Sequence, residues 1–125
     1  MQAKRSLRVL VADDDPIQLR LAARLLRELG HSGALANNGQ IALDMLGRFP
    51  FDLMLLDLGM PVLDGLGTLA GMRERRSRGE STVPVILVSG NDLSSQWPFY
   101  RDAGASGYLI KPLDIGTLSA ALQRV

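Results

Sequence analysis

Two short stretches are apolar at nearly every position: Leu53–Asp57, reading Leu-Met-Leu-Leu-Asp, and Val85–Ser89, reading Val-Ile-Leu-Val-Ser. Runs of this length without polar alternation predict strands buried on both faces, as at the centre of a parallel sheet covered by helices. Leu7–Ala12 is similarly aliphatic and predicts a first strand, while Gly33–Ala36 and Gly107–Ile110 predict shorter ones. Between the strands the period changes. Leu19, Ala22, Ala23, Leu26 and Leu29 recur near the helical repeat, with Asp15 as N-cap, Pro16 at the first helical position and Gly30 as the stop. Asn37-Asn38-Gly39 reads as a turn, after which Ile41, Ala42, Met45 and Leu46 mark a second helix closing near Gly47–Pro50. A third helix is predicted from about Leu66 to Arg76, with Leu66, Leu69, Ala70 and Met72 facing inward. A fourth occupies Asn91–Gly104, with an irregular start imposed by Pro98. Asp114 caps a fifth, running to about Arg124.

Strand and helix therefore alternate five times. That alternation predicts an α/β fold: a doubly wound parallel sheet with right-handed crossovers and helices on both faces. The order 2-1-3-4-5 puts the two longest apolar strands in the middle and the weak second strand at an edge.

Composition narrows the classes. The chain has 125 residues, 46% of them hydrophobic, enough for one packed domain and one core. A net charge of +1 gives no reason to expect direct nucleic-acid or membrane binding. The absence of cysteine excludes disulfides and thiolate chemistry. No apolar run reaches membrane-span length, and the opening segment, with Lys4, Arg5 and Arg8, does not read as a secretory signal. The cytoplasm is the expected compartment. Arg73, Arg75, Arg76 and Arg78 read as solvated cations at a helix end, and His31 as a solvated loop histidine.

The candidate chemistry lies at the strand ends. The first strand delivers Asp13 and Asp14, the third Asp57, the fourth Ser89 and the fifth Lys111. Parallel strands share one direction, so these groups converge on one edge of the sheet. Close carboxylates raise one another's pKa unless a cation sits among them, and a hard divalent ion such as Mg²⁺ or Mn²⁺ suits oxygen ligands. Lys111 and Ser89 suit phosphoryl oxygens, and a carboxylate so equipped can attack phosphorus in line. Each residue taken singly has a plainer role. Asp13, Asp14 and Asp15 can cap a helix and complement its dipole, Asp57 can cap a turn, Ser89 can satisfy backbone and Lys111 can be a surface lysine. Sheet stability does not ask for all of them together.

With these residues the sequence resembles the CheY-like receiver domains of two-component response regulators. The resemblance rests on Val-Leu-Val-Ala-Asp13-Asp14-Asp15-Pro16, on Asp52 to Asp57 with Met60-Pro61 and Asp64-Gly65, on Pro84 to Ser89, and on Ala103 to Pro112. It implies a flavodoxin-like receiver over residues 1–125, phosphorylated on Asp57 by a sensor histidine kinase or histidine phosphotransfer protein. It further implies Mg²⁺ held by Asp13, Asp14, Asp57 and the backbone carbonyl of Gly59, and a phosphoryl group bound by Ser89 and Lys111. Tyr108 would be the aromatic partner of Ser89, turning inward on phosphorylation and changing the surface of the fourth helix, fifth strand and fifth helix. The Lys111–Pro112 bond is the candidate cis peptide. An output domain or effector, and a homodimer formed on phosphorylation, are partners the resemblance allows. Stand-alone receiver, hybrid-kinase receiver and piece of a longer regulator all remain open.

Three positions depart from the common pattern: Gly59, Ser89 where threonine is more usual, and Trp97-Pro98-Phe99-Tyr100 in the fourth helix. For Phe99 packing is expected; for Trp97 packing and an exposed partner contact are both open. Two other readings compete. Asp13-x-Asp15 also resembles the strand-one motif of haloacid-dehalogenase-type phosphatases, in which Asp13 would be the nucleophile. A receiver-like module that binds without phosphorylation is the third.

Overall fold

The computed structural model describes residues 5–125; Lys4 and the rest of segment 1–4, part of the charged opening, lie outside the described residues. The elements are β1 (Arg8–Ala12), α1 (Pro16–Glu28), β2 (Ser32–Ala36), α2 (Gly39–Arg48), β3 (Leu53–Asp57), α3 (Gly65–Ser77), β4 (Val85–Ser89), α4 (Trp97–Asp102), β5 (Gly107–Ile110) and α5 (Ile115–Leu122). A short 3-10 turn, Ser94–Gln96, leads into α4. The strands form one parallel sheet in the order β2-β1-β3-β4-β5.

Period-2 alternation of side chains splits the core into two layers. Leu10, Met54, Leu56 and Leu87 point to one face, where Ala42 and Leu43 of α2 and Leu69 and Met72 of α3 cover them. Val9, Val11, Leu53, Leu55 and Val88 point to the other, against Leu25 and Leu26 of α1 and Leu118 and Leu122 of α5. Four helices open on a side-chain cap. Asp15, Asn38, Asp64 and Asp114 accept the N–H of Ile17, Ile41, Gly67 and Thr117. Pro98 is tolerated because it falls in the first turn of α4, where its missing N–H has no intrahelical partner to lose. The irregular start therefore shortens α4 to six residues.

Five expectations about side chains need correction. Leu66 and Ala70 of α3 are exposed, and the buried stripe is Gly65, Thr68, Leu69 and Met72. Thr68 can occupy a core position because its hydroxyl donates to the Asp64 carbonyl, which removes the cost of burying it. Gly39 fixes the approach of α2 to this residue: a Cβ there would lie 2.0 Å from Thr68 Oγ1 and 2.5 Å from the Leu63 carbonyl. With Gly39, Ala42 and Leu43 turned inward, Ile41 faces out. Phe99, expected to pack, is 59% exposed, while Trp97 is half-buried against the core. His31 is not a solvated loop residue. It is half-buried, and its Nδ1 accepts the N–H of Leu7 at 2.9 Å, joining the end of α1 to the start of β1. At the basic end of α3, Arg76 donates to the Thr82 hydroxyl and Arg78 pairs with Glu74 and Glu80, while Arg73 reaches the Asp102 carbonyl of α4.

Candidate phosphoryl and metal site

Four polar side chains are buried among the described residues: Asp13, Asp57, Ser89 and Thr68. All but Thr68 lie at the carboxyl edge of the sheet. Asp57 is the last residue of β3 and pairs in register with Val88, one residue before Ser89 at the end of β4. Asp13 follows β1, anchored by its N–H to the Ala36 carbonyl at 3.0 Å. Lys111 follows β5, and its N–H donates to the Ser89 carbonyl at 2.7 Å, so the ends of β4 and β5 are tied together. The Lys111–Pro112 peptide bond is cis.

The Lys111 ammonium reaches across this edge. Its Nζ lies 3.0 Å from Asp13 Oδ2 and 3.1 Å from Asp57 Oδ1, joining both carboxylates. Burial raises the pKa of Asp57 most; the hydrogen bond from Lys111 lowers it, the charge of Asp13 raises it, and the balance is upward. Gly59 contributes through its N–H, which also donates to the Asp57 carboxylate. For Lys111, burial pulls the pKa down, yet its bonds to Asp13 and Asp57 and their charges leave it above the ordinary lysine value. The ammonium is thus held charged by the pair it bridges.

Asp13, Asp14 and Asp57 each offer a carboxylate oxygen, and these oxygens all lie within 4.8 Å of one another. Three hard oxygen donors at that spacing, one of them exposed, fit a divalent cation that keeps part of its water shell. Lys111 places a positive charge between two of them. Asp15, by contrast, only caps α1. The Ser89 hydroxyl accepts the N–H of Asn91 at 3.1 Å. At Gly59 a Cβ would meet nothing within 4 Å, so the position opens to solvent.

The remaining predicted residues lie on the flank. Tyr108 of β5 is half-buried, its ring 5.6 Å from that of Trp97, and its hydroxyl donates to Asp92 Oδ1 at 2.9 Å. Asp92 escaped the sequence reading. The available signal was Asp92-Leu93-Ser94, an Asx-turn pattern just beyond Ser89, and the Ser94 N–H does donate to Asp92.

A family model for the response regulator receiver domain matches residues 9–123. The chain belongs to this family. It is 34% identical over 116 residues to the transcriptional regulatory protein ZraR of Escherichia coli, covering 93% of this chain and 25% of that protein. The chemotaxis protein CheY4 of Vibrio cholerae superposes with a TM-score of 0.85 at 26% identity, covering 97% of this chain and 99% of that one. The receiver domain of the sensor histidine kinase PA1611 from Pseudomonas aeruginosa, solved with a magnesium ion coordinated in its active-site cleft, superposes with a TM-score of 0.79 at 29% identity. That match covers 96% of this chain and 97% of the other. The chain spans 7% to 25% of the length of the curated relatives it matches. Those relatives include sensor kinases as well as transcriptional regulators, and this receiver carries the phosphoacceptor role of two-component signalling. No described helix is long and apolar enough to cross a membrane.

Proposed function

We propose that Asp57 is the phosphoacceptor of this receiver, and that a histidine kinase or histidine phosphotransfer protein is its donor. One observation carries the reading: the Lys111 ammonium spans Asp13 and Asp57 at 3.0 and 3.1 Å on a buried edge. Asp13, Asp14, Asp57 and the Gly59 carbonyl are the groups proposed to hold Mg²⁺, with Mn²⁺ as substitute. Bound there, the ion would supply positive charge to neutralise the carboxylates and a phosphoryl oxygen. An Asp57 carboxylate oxygen forms a bond to phosphorus as the bond from phosphorus to the donor histidine nitrogen breaks, the electron pair leaving with the imidazole. Lys111 then exchanges its contact with Asp57 for a phosphoryl oxygen, and the Ser89 hydroxyl donates to another. The product adds roughly −1.5 to −2 charge to this edge. Lys111 and Ser89 transmit that charge to Tyr108 and to the α4–β5–α5 surface, which an output domain, an effector or a second receiver would read. The chain catalyses only its own phosphorylation and dephosphorylation. Its proposed compartment is the cytoplasm.

Incubation with Mg²⁺ and acetyl phosphate, followed by peptide mapping, tests this. A labile adduct on Asp57, absent in Asp57→Asn, is the expected result. An adduct on Asp13, or turnover of many phosphate equivalents per chain, would instead favour a haloacid-dehalogenase-type phosphatase.

A further inference from the structure

The loop between β4 and α4 carries a carboxylate that the phosphoryl chemistry leaves unused. Asp92 Oδ1 accepts two hydrogen bonds, from the Ser94 N–H at 2.9 Å and from the Tyr108 hydroxyl at 2.9 Å. One residue earlier, the Asn91 N–H donates to the Ser89 hydroxyl. The Tyr108 ring rests against Trp97, which packs on the core behind it. Ser89, Asn91, Asp92, Tyr108 and Trp97 therefore form one unbroken series of contacts from the buried edge to α4.

We propose that Asp92 is a positioning residue for the switch, holding Tyr108 in place beside Trp97 at rest and releasing it when the Ser89 hydroxyl leaves Asn91. The proposal rests on the phosphoacceptor reading, since a phosphoryl oxygen is what draws the hydroxyl away. Rotating Ser89 toward that oxygen moves Oγ off the Asn91 N–H. The loop from Gly90 to Asp92 then loses its tie to the end of β4, and no atom lies within 4 Å of where a Gly90 Cβ would stand. The geometry of the bond between Asp92 and Tyr108 depends on that loop. It joins two surface groups, so it is weak enough to break yet strong enough to bias the resting state. The electrostatics of the pair agree with it. Asp92 is held below the ordinary carboxylate range by the Ser94 N–H and then by the Tyr108 hydroxyl, and the Asp92 bond pushes the Tyr108 phenol upward.

Asp92 also closes an Asx turn by accepting the Ser94 N–H, and that local role alone would explain its presence. The experiment must separate the two roles. Trp97 is the only tryptophan in the chain, so its emission reports on the Tyr108 ring beside it. Beryllofluoride with Mg²⁺ is the probe, titrated against the intact chain. Asp92→Ala should shift resting emission toward the beryllofluoride-bound spectrum and tighten apparent beryllofluoride affinity about threefold to tenfold. Tyr108→Phe should tighten it similarly while leaving the bond between Ser94 and Asp92 intact, and the double variant should gain no more than either single change. Wild-type emission and affinity in Asp92→Ala would overturn the proposal. So would an Asp92→Ala effect that persists undiminished in Tyr108→Phe, since it would come from the Asx turn. Failure of the wild-type chain to take up beryllofluoride overturns the phosphoacceptor reading itself, and the release step with it.

Discussion

The carboxyl ends of β1 and β3 and the surface formed by α4 and β5 are built to different tolerances. Every residue of β3 is buried, whereas none of β5 is, and α4 has no fully buried residue. At the first region, two buried carboxylates and an ammonium hold one another in place. At the second, Tyr108 and Trp97 are half-buried, and the hydrogen bond from the Tyr108 hydroxyl to Asp92 lies at the surface. The difference separates tasks. Phosphoryl chemistry needs groups fixed before the reaction, while a response needs an element whose two positions differ little in free energy.

Mutations should expose that contrast in order of size. Leu55→Ala, at a fully buried position of β3, should cost about 3 kcal/mol in urea unfolding, against about 0.5 kcal/mol or less for Ile110→Ala on the half-exposed end of β5. Similar costs at the two sites would mean that the two regions are equally rigid. Lys111→Met leaves Asp13 and Asp57 facing each other without a counter-charge. It should lower metal-free stability by about 2 kcal/mol and abolish labelling of Asp57 by acetyl phosphate.

Asp57→Asn should act in the opposite sense. The folded pKa of Asp57 is raised, so the protonated form is favoured by folding. Its contribution is fully present below the unfolded carboxylate value and is lost as pH rises through the folded value. A neutral asparagine avoids that loss, and should stabilise the metal-free chain by about 1 kcal/mol at neutral pH. The gain should shrink as the pH is lowered, and added Mg²⁺ should stabilise the wild type more than the variant. Thermal melts across pH, with and without Mg²⁺, measure both effects. The smallest effect concerns the loop after β3. Val62 has φ 68°, is 82% exposed, and sits at the centre of a tight turn closed by the Leu63 N–H on the Pro61 carbonyl. A β-branched residue is strained there, and Val62→Asn should raise stability by about 0.5 kcal/mol in thermal melts.

Fold and site were legible in the sequence to different depths. The apolar runs at Leu53–Asp57 and Val85–Ser89 could only be central strands, and alternation with helical periods left a parallel doubly wound sheet. Direction along parallel strands then predicted convergence of Asp13, Asp57, Ser89 and Lys111 on one edge. The facing of side chains on α2 and α3 was less legible. Hydropathy favoured Ile41 and Leu66, but Gly39 and Thr68 set how closely those helices approach. Hydropathy alone does not encode close approach.

Strand number and the candidate reactive groups thus follow from local chemistry: runs of apolar residues, caps and turn residues each state a preference that neighbours in sequence suffice to express. Tertiary structure alone decided that Lys111 bridges Asp13 and Asp57, that Trp97 rather than Phe99 turns inward, that His31 accepts the Leu7 N–H, and that Asp92 holds Tyr108. Each of these is a contact between separate elements, set by distances of a few ångströms that exist only once the helices have packed on the sheet.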